Sequence, residues 1–247
     1  MSSELEANPV EFKMPPPPPS SGQKLGDAAE ITLSVASLNV SLPFYEKLGF
    51  KTLSRTSGQT PSATLTDGMI IVRLQQGSSP SPVLTYYAAD MAQRIVRLES
   101  LGVKFDSKDK DEAQFSDGNG LRVRLVTTDA SRFPQADGKS FSKCGMFGEL
   151  CVRTSDAKTA AAFWDKAGFG VAYGGDQPCS YRILMDGKLI LGVHQNNADI
   201  LMPTFTYFDG NIKARIAQLR QDGVKFDSEA KGELQSPDGQ RFFLYNW

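Results

Sequence analysis

The strongest constraint on the fold of this chain is an internal repeat that relates its two halves. The segment 30–50, EITLSVASLNVSLPFYEKLGF, aligns without a gap on 149–169, ELCVRTSDAKTAAAFWDKAGF, at a shift of 119 residues. A second segment, GVKFDS, occurs word for word at 102–107 and again at 223–228. Since the matching segments follow one another in the same order, we expect the two halves to share one fold.

Each half divides further into two units of similar pattern. A unit opens with a short strand-like run and continues with an amphipathic stretch, as in MAQRIVRLESL at 91–101 and IKARIAQLRQD at 212–222. Short apolar runs follow and turn at Asp and Gly pairs, a pattern typical of hairpins. The sequence therefore predicts an α+β fold of four βαβββ modules. The four predicted modules are 30–76, 83–127, 149–195 and 203–247.

The modules pair into two predicted tandem domains, 28–127 and 146–247. A polar linker, 128–145, separates them and contains Pro134 and Gly138, which disfavour regular structure. Residues 1–27 carry a run of consecutive prolines and few periodic apolar positions, so we expect a disordered leader or a polyproline II segment.

Composition excludes several classes of function. The formal net charge is -1, so the chain as a whole has no electrostatic attraction for nucleic acid or for an anionic membrane. No apolar run is long enough for a membrane span, and the N-terminal residues lack the layout of a signal peptide. We therefore expect a cytoplasmic protein that is a monomer or a homodimer. The three cysteines, Cys144, Cys151 and Cys179, lack disulfide or zinc-ribbon spacing and are interpreted as reduced thiols.

Short motifs connect this pattern with a known superfamily. The first module has the frame Ser41-x-x-Phe-Tyr followed by Leu-Gly-Phe at 48–50, and the even modules end in hairpins at 117–120 and 236–239. This arrangement resembles the vicinal oxygen chelate superfamily, which includes glyoxalase I, bleomycin-resistance proteins and extradiol dioxygenases. The resemblance covers residues 28 to 247 and implies two glyoxalase-like domains, each with a cleft between its paired modules.

The resemblance also implies where metal ligands would lie, at the start of each opening strand and late in each last strand. In the first domain only Glu30 among these positions offers a metal ligand, since the others fall near Val83, at Val72 or Arg73, and at Arg124. In the second domain only Glu149 does so, and the other positions are Thr204, Leu191 or Gly192, and Phe243. A lone carboxylate is a poor site for a divalent metal, so no cofactor is predicted.

The chain contains a single histidine, His194. Extradiol dioxygenases of the superfamily use two histidines and a carboxylate, so one chain does not supply that set unless subunits share a site. His194 follows an apolar strand and is interpreted as a structural histidine at a strand end, although an imidazole also suits a general base.

Strand alternation places Glu30 and Thr32 on the cleft face of the first domain, with Arg124 opposite. We therefore hypothesise an ion pair between Glu30 and Arg124 in place of a metal. Alternation in the second domain places Glu149 and Arg153 on the cleft face, together with further polar and aromatic residues. The predicted ligand-binding residues are Glu30, Thr32, Arg124, Glu149, Arg153, Thr204, Thr206 and Phe243.

Three functions are compatible with these features. The leading one is a protein that binds a small organic molecule in one or both clefts without a catalytic metal, because the cleft fold is kept while the ligand positions are lost. The second is a divergent metal-dependent lyase, isomerase or dioxygenase that uses Glu30 or Glu149. The third is a non-catalytic interaction module whose clefts are closed by side chains.

Overall fold

The computed structural model describes residues 16–177, 179–195 and 202–246. Within these residues the chain forms two mixed β-sheets, one from each half of the sequence, with two α-helices attached to each. None of the helices in the described ranges is both long and apolar enough to cross a membrane. The predicted α+β class is therefore confirmed.

The first sheet belongs to the first half of the chain. Its strands are β1 (Ala28–Val35), β2 (Lys51–Thr56), β3 (Ser62–Thr66), β4 (Ile71–Gln76), β5 (Val83–Ala88), β6 (Ser107–Lys108), β7 (Glu112–Ser116) and β8 (Arg122–Thr127). Their order is β2-β3-β4-β1-β5-β8-β7-β6. Helix α1 (Leu38–Lys47) follows β1, and helix α2 (Met91–Ser100) follows β5. Both modules of the first half are thus a strand, a helix and three strands, as predicted.

The second sheet repeats this plan. Its strands are β9 (Met146–Thr154), β10 (Gly170–Gly175), β11 (Tyr181–Met185), β12 (Ile190–Gln195), β13 (Thr204–Asp209), β14 (Glu233–Gln235) and β15 (Arg241–Asn246). Their order is β10-β11-β12-β9-β13-β15-β14, with helix α3 (Ala157–Lys166) after β9 and helix α4 (Ile212–Gln221) after β13. In the fourth module an isolated bridge between Ser228 and Glu233 stands where the second module has the short strand β6.

The opening strands of the paired modules lie side by side at the centre of each sheet. β1 pairs antiparallel with β5 and parallel with β4, and β9 pairs in the same way with β13 and β12. Alternation divides β1 into two faces, and its apolar residues Ile31, Leu33 and Val35 are buried in the core as expected. The other face of β1 therefore carries its polar residues, Glu30, Thr32 and Ser34.

Two reciprocal hydrogen bonds join the halves. The Tyr86 hydroxyl on β5 donates to Asp186 Oδ2 at 2.7 Å, and the Tyr207 hydroxyl on β13 donates to Asp67 Oδ2, also at 2.7 Å. In each aspartate the other oxygen accepts from the backbone amides two and three residues further along the turn. All four side chains are buried, and burial raises the pKa of both carboxyls. Each half thus supplies the donor for the buried turn of the other.

The second part of the leader, residues 16–27, packs against the rest of the chain, contrary to the expectation of disorder. Leu25 is fully buried, and Arg94 donates to the carbonyl of Lys24 and to the carboxylate of Asp27. The backbone amide of Ser21 donates a hydrogen bond to the carboxylate of Asp165 in the second half. The prediction of a disordered leader is therefore wrong for residues 16–27, because an apolar side chain and an ion pair attach it to the body. The first fifteen residues lie outside the described ranges.

The hydrogen bond between Tyr207 and Asp67 gives a first prediction. Tyr207→Phe removes the donor and leaves a buried carboxyl oxygen without its partner, so we expect the free energy of unfolding to fall by about 1–3 kcal/mol. Urea denaturation of the full chain measures the effect, and Tyr86→Phe is expected to match it because the two pairs are equivalent. Tyr173→Phe, at a side chain that is 67% exposed, is the control and is expected to change stability by less than about 0.5 kcal/mol. Equal stability of Tyr207→Phe and the control contradicts the assignment.

Candidate functional site

Three side chains that bind metals in other proteins meet on the cleft face of the second sheet. Glu149 and Cys151 lie on β9, and His194 lies on the neighbouring strand β12. One ligand atom from each lies within 4.8 Å of the others, and all three side chains are buried. His194 Nε2 and Glu149 Oε1 are 3.0 Å apart. We call this set the Glu-Cys-His cluster.

The register of β9 and β12 explains the convergence. The two strands are parallel, with Cys151 opposite Gly192 and Arg153 opposite His194. Residues two apart on a strand face the same side, so Glu149, Cys151 and His194 all face the cleft. Gly192 leaves room for this arrangement, because a Cβ atom built there would lie 1.8 Å from Glu149 Oε2. The absence of a side chain at Gly192 is therefore a condition for the position of the Glu149 carboxylate.

Two polar atoms of the cluster are buried without a hydrogen-bond partner, Glu149 Oε2 and His194 Nδ1. A buried polar atom that loses its partner costs about 1–3 kcal/mol, so folded proteins rarely keep such atoms without a reason. Here two of them occur in neighbouring side chains that are already in contact. The donor set therefore has unused capacity to bind a further group.

The environment of Cys151 disfavours the thiolate form of its side chain. Burial, followed by the nearby carboxylate of Glu149, raises the pKa of this thiol well above its ordinary value. A nearby positive charge would stabilise the thiolate of Cys151. The electrostatic interactions of Cys151 with Glu149 and Cys179 instead disfavour its thiolate. The environment of Cys151 thus disfavours a free nucleophile and suits a thiolate that forms only on a metal ion.

The surroundings of the cluster come from the fourth module and from Tyr181 on β11. Thr204 lies opposite Cys151 and Thr206 lies opposite Glu149 on the adjacent strand β13, and both are buried. Phe243 is the neighbour of Thr206 on β15. The Tyr181 ring stacks on the His194 ring with centroids 5.3 Å apart. Thr204 and Thr206 therefore lie on the strand beside the cluster, and Phe243 lies one strand further from it.

Arg153 occupies a different environment. It follows Cys151 on the cleft face of β9 but is exposed, and it lines a cavity between the two halves of the chain. This predicted binding residue is thus at the margin of the cleft and is not part of the cluster.

The matching carboxylate of the first sheet, Glu30, has different partners. The Tyr87 hydroxyl donates to Glu30 Oε1 at 2.7 Å, and Arg73 Nη1 lies 3.8 Å from the same oxygen. Burial raises the pKa of Glu30, and the hydrogen bond from Tyr87 and the charge of Arg73 oppose that shift. Arg73 stands opposite Thr32 in the register, which is the place of Gly192 in the second sheet. The first sheet therefore provides its buried carboxylate with a cation from its own chain.

The hypothesised ion pair between Glu30 and Arg124 is wrong. Arg124 forms its ion pair with Glu112 on the neighbouring strand. Strand β5 lies between β1 and β8, and Thr85 stands between Glu30 and Arg124 in the register. Strands are spaced about 4.8 Å apart, so the two backbones are about 10 Å from each other and Arg124 reaches Glu30 only through its longer-range charge.

The remaining residues of the first cleft are also engaged. Thr32 and Thr85 share a hydrogen bond between their hydroxyls at 3.1 Å. The ring of Phe133, from the segment that joins the two sheets, stacks on Tyr87 with centroids 3.6 Å apart. Thr32, Thr85 and Tyr87 thus have hydrogen-bond partners inside the first cleft, and Phe133 of the connecting segment covers Tyr87, while Arg73 Nε is buried without a partner among the described residues.

The Glu-Cys-His cluster was not predicted from the sequence. The ligand position of β12 was expected at Leu191 or Gly192, and His194 was interpreted as a structural residue. The alternation of β12 was the available signal, because a residue two positions after Gly192 returns to the same face. The contact depends on the pairing of β12 with β9, which the sequence alone did not fix to the residue.

No protein-family model matches the chain, and no curated protein matches its sequence. Solved structures do match its fold. Homoprotocatechuate 2,3-dioxygenase from Arthrobacter globiformis gives a TM-score of 0.58 at 16% identity, over 97% of this chain and 84% of that chain. A mutant of 4-hydroxymandelate synthase from Streptomyces coelicolor gives 0.56 at 13% identity, over 83% of this chain and 77% of that chain.

The fold is that of the vicinal oxygen chelate proteins. A complex of homoprotocatechuate 2,3-dioxygenase from Brevibacterium fuscum with 3,4-dihydroxyphenylacetate matches similarly, with a TM-score of 0.58 at 14% identity, over 95% of this chain and 85% of that chain. The resemblance inferred from the sequence motifs is therefore confirmed at the level of the fold. At these identities the matches carry no activity over to this chain.

The ion pair of the first sheet gives a second prediction. Arg73→Met removes the cation beside Glu30, so the pKa of Glu30 rises further in the folded state while its unfolded value stays near 4.5. At low pH Glu30 is protonated in both the folded and the unfolded chain, so the loss of stability is small there. The loss grows as the pH rises through the pKa that Glu30 has in the folded parent protein. We expect a loss of about 2 kcal/mol at pH 8 and a smaller one at pH 5, by urea denaturation.

The control for this experiment is Arg55→Met, which removes an exposed ion pair with Glu46. An exposed pair contributes about 0–1 kcal/mol, so we expect a small loss of stability in the control. A loss in Arg73→Met that is the same at pH 5 and pH 8 contradicts the assignment of Arg73 as the compensating charge of Glu30.

Proposed function

We propose that the second sheet holds a single divalent transition metal ion in the Glu-Cys-His cluster, and that the protein uses it on a small organic molecule bound in the same cleft. The observation that carries this proposal is the convergence of three buried ligand atoms within 4.8 Å. The unused donors Glu149 Oε2 and His194 Nδ1 support it, because contacts inside the protein leave these side chains unsatisfied. The proposal corresponds to the metal-dependent alternative that the sequence left open.

The types of ligand favour zinc. Zinc binds cysteine sulfur, histidine nitrogen and carboxylate oxygen, and a thiolate selects it over magnesium or calcium. Catalytic zinc sites have three protein ligands and keep a fourth position for water or substrate, whereas structural sites have four. Glu149, Cys151 and His194 together supply three.

The residues of the chain have distinct roles in this proposal. Glu149, Cys151 and His194 would hold the ion, and the stacked ring of Tyr181 fixes the orientation of His194. The hydroxyl of Thr204 lies beside the cluster, where it can orient an oxygen of the substrate, and Phe243 provides an apolar wall. A bound metal supplies Lewis acidity toward a carbonyl or hydroxyl oxygen. Burial of the cluster excludes bulk water, which strengthens such an interaction.

The types of metal ligand in the chain limit the class of reaction that we propose. A single histidine does not provide the two-histidine, one-carboxylate set in one chain. Lyase or isomerase chemistry, in which the metal polarises an oxygen of the substrate, needs no change in the oxidation state of the ion and suits zinc. We therefore propose a lyase or isomerase in preference to a dioxygenase.

A metal-free binding protein, which the sequence favoured, is the second candidate. The observation in its favour is the first sheet, where Arg73 already compensates the carboxylate and a metal ion is not needed. The two candidates differ in metal content, which can be measured directly. A cytoplasmic location and a monomeric or homodimeric state stay predictions in either case.

Metal content gives the third prediction. Purified protein that has been loaded with zinc and then dialysed is expected to retain one equivalent, measured by inductively coupled plasma mass spectrometry. Cys151→Ser and His194→Gln each remove a ligand, and we expect each to weaken binding by at least about 100-fold, because loss of a supporting residue alone costs about 10 to 100-fold. Substitution with cobalt adds a spectroscopic test, since the thiolate charge-transfer band should be absent in Cys151→Ser.

Two further variants make the metal experiment specific. Glu30→Gln changes the matching carboxylate of the first sheet and is expected to leave the zinc content at one equivalent. Gly192→Ala keeps all three ligands but forces the Glu149 carboxylate to move, so we expect it to fold and to lose zinc affinity. Protein without zinc after dialysis, or equal zinc in Glu30→Gln and Cys151→Ser, contradicts the proposed centre.

A further inference from the structure

A groove made of two adjoining cavities lies between the two halves of the chain. It consists of two cavities, of about 240 and 340 Å³, that share Ser81, Met202 and Pro203 as lining residues. The first half contributes the end of β1, the start of β8 and the turn before β5. The second half contributes the end of β9, the turn before β13 and the hairpin between β14 and β15. We call it the interdomain groove.

Three arginines line the interdomain groove. Arg122 and Arg153 line the first cavity, and Arg241 lines the second. Among the described residues, none of the three guanidinium groups has an ion pair or a side-chain hydrogen bond. Elsewhere, within the ranges that the structure describes, every arginine except Arg97 pairs with an aspartate or a glutamate. Arginines without a partner are therefore concentrated in this groove.

Negative charge inside the groove does not balance these arginines. Asp238 is the one carboxylate among the described residues that line the two cavities. It accepts hydrogen bonds from the backbone amide of Ala36 and from the hydroxyl of Ser41, which join the fourth module to the start of α1. Several like charges around one groove repel one another, so an arrangement without counter-charges raises the local positive potential.

We propose that the interdomain groove binds a small organic molecule that carries two or more phosphate groups. A guanidinium group binds phosphate oxygens in a bidentate manner, and arginine is the usual residue for this recognition. Three guanidinium groups around one groove favour a ligand with more negative charge than a single carboxylate carries. The combined volume of the two cavities is in the range of small-molecule sites and is too small for a folded partner.

This site is separate from the proposed metal centre. The ligands Glu149, Cys151 and His194 do not line either cavity of the groove. Binding in the groove therefore neither needs the metal nor follows from it, and each proposal can fail without the other. The test uses protein that lacks a metal site, since phosphate compounds also bind metal ions.

Calorimetric titration with inorganic pyrophosphate tests the proposal. The protein is the full chain carrying Cys151→Ser, so that a bound metal does not contribute. We expect saturable binding of one pyrophosphate, and we expect Arg122→Gln and Arg241→Gln each to weaken it by about 10-fold, since each removes charge-assisted hydrogen bonds. Arg97→Gln removes an unpaired arginine on α2 outside the groove and is expected to leave the affinity unchanged.

The outcomes separate the proposal from general attraction between charges. Equal affinity in Arg97→Gln and Arg122→Gln, or heat that does not saturate in the parent protein, contradicts a site in the groove. Titration with malonate at the same ionic strength tests the class of ligand, and we expect weaker binding than with pyrophosphate. Tighter binding of malonate contradicts the phosphate class. Circular dichroism of each variant checks that the fold is unchanged, which is expected because Arg122 is exposed.

Discussion

The carboxylates that open the two half-repeats, Glu30 and Glu149, are 3% and 5% exposed. A carboxylate taken out of water needs a positive partner or hydrogen-bond donors inside the protein, or it is held protonated. The same βαβββ plan creates this requirement twice, at positions 119 residues apart. How each half meets the requirement decides what its cleft can do.

The first half meets it with Arg73 and with the Tyr87 hydroxyl, and the connecting segment covers the result with Phe133. The second half has glycine in the place of that arginine, and its carboxylate is surrounded by Cys151 and His194. The two clefts thus differ through residue changes at a few matching positions on the same two strands. The first cleft is closed and compensates its carboxylate with its own residues, whereas the second has donor atoms that are not used. The two halves share a fold, while their clefts differ in chemistry.

Much of the fold could be predicted from the sequence because it depends on local patterns. The repeat, the amphipathic helices and the alternation of β1 and β9 all express side-chain periodicity, and the structure agrees with each of them. The site could not be predicted to the same degree, because it depends on which residues face each other across strands. The pairing of Glu30 with Arg124 failed since β5 separates them, and His194 was missed since its partners lie 43 and more residues away along the chain. The bonds between Tyr86 and Asp186 and between Tyr207 and Asp67 are likewise invisible to local patterns, although they join the two halves.

The most direct test of the metal centre is X-ray diffraction from zinc-soaked crystals, with data recorded on both sides of the zinc absorption edge. We predict one anomalous peak per chain, between the carboxylate of Glu149, the sulfur of Cys151 and the imidazole of His194, and none beside Glu30, where Arg73 supplies the positive charge. A peak beside Glu30, or none at the Glu-Cys-His cluster in zinc-saturated crystals, would contradict the different roles of the two clefts.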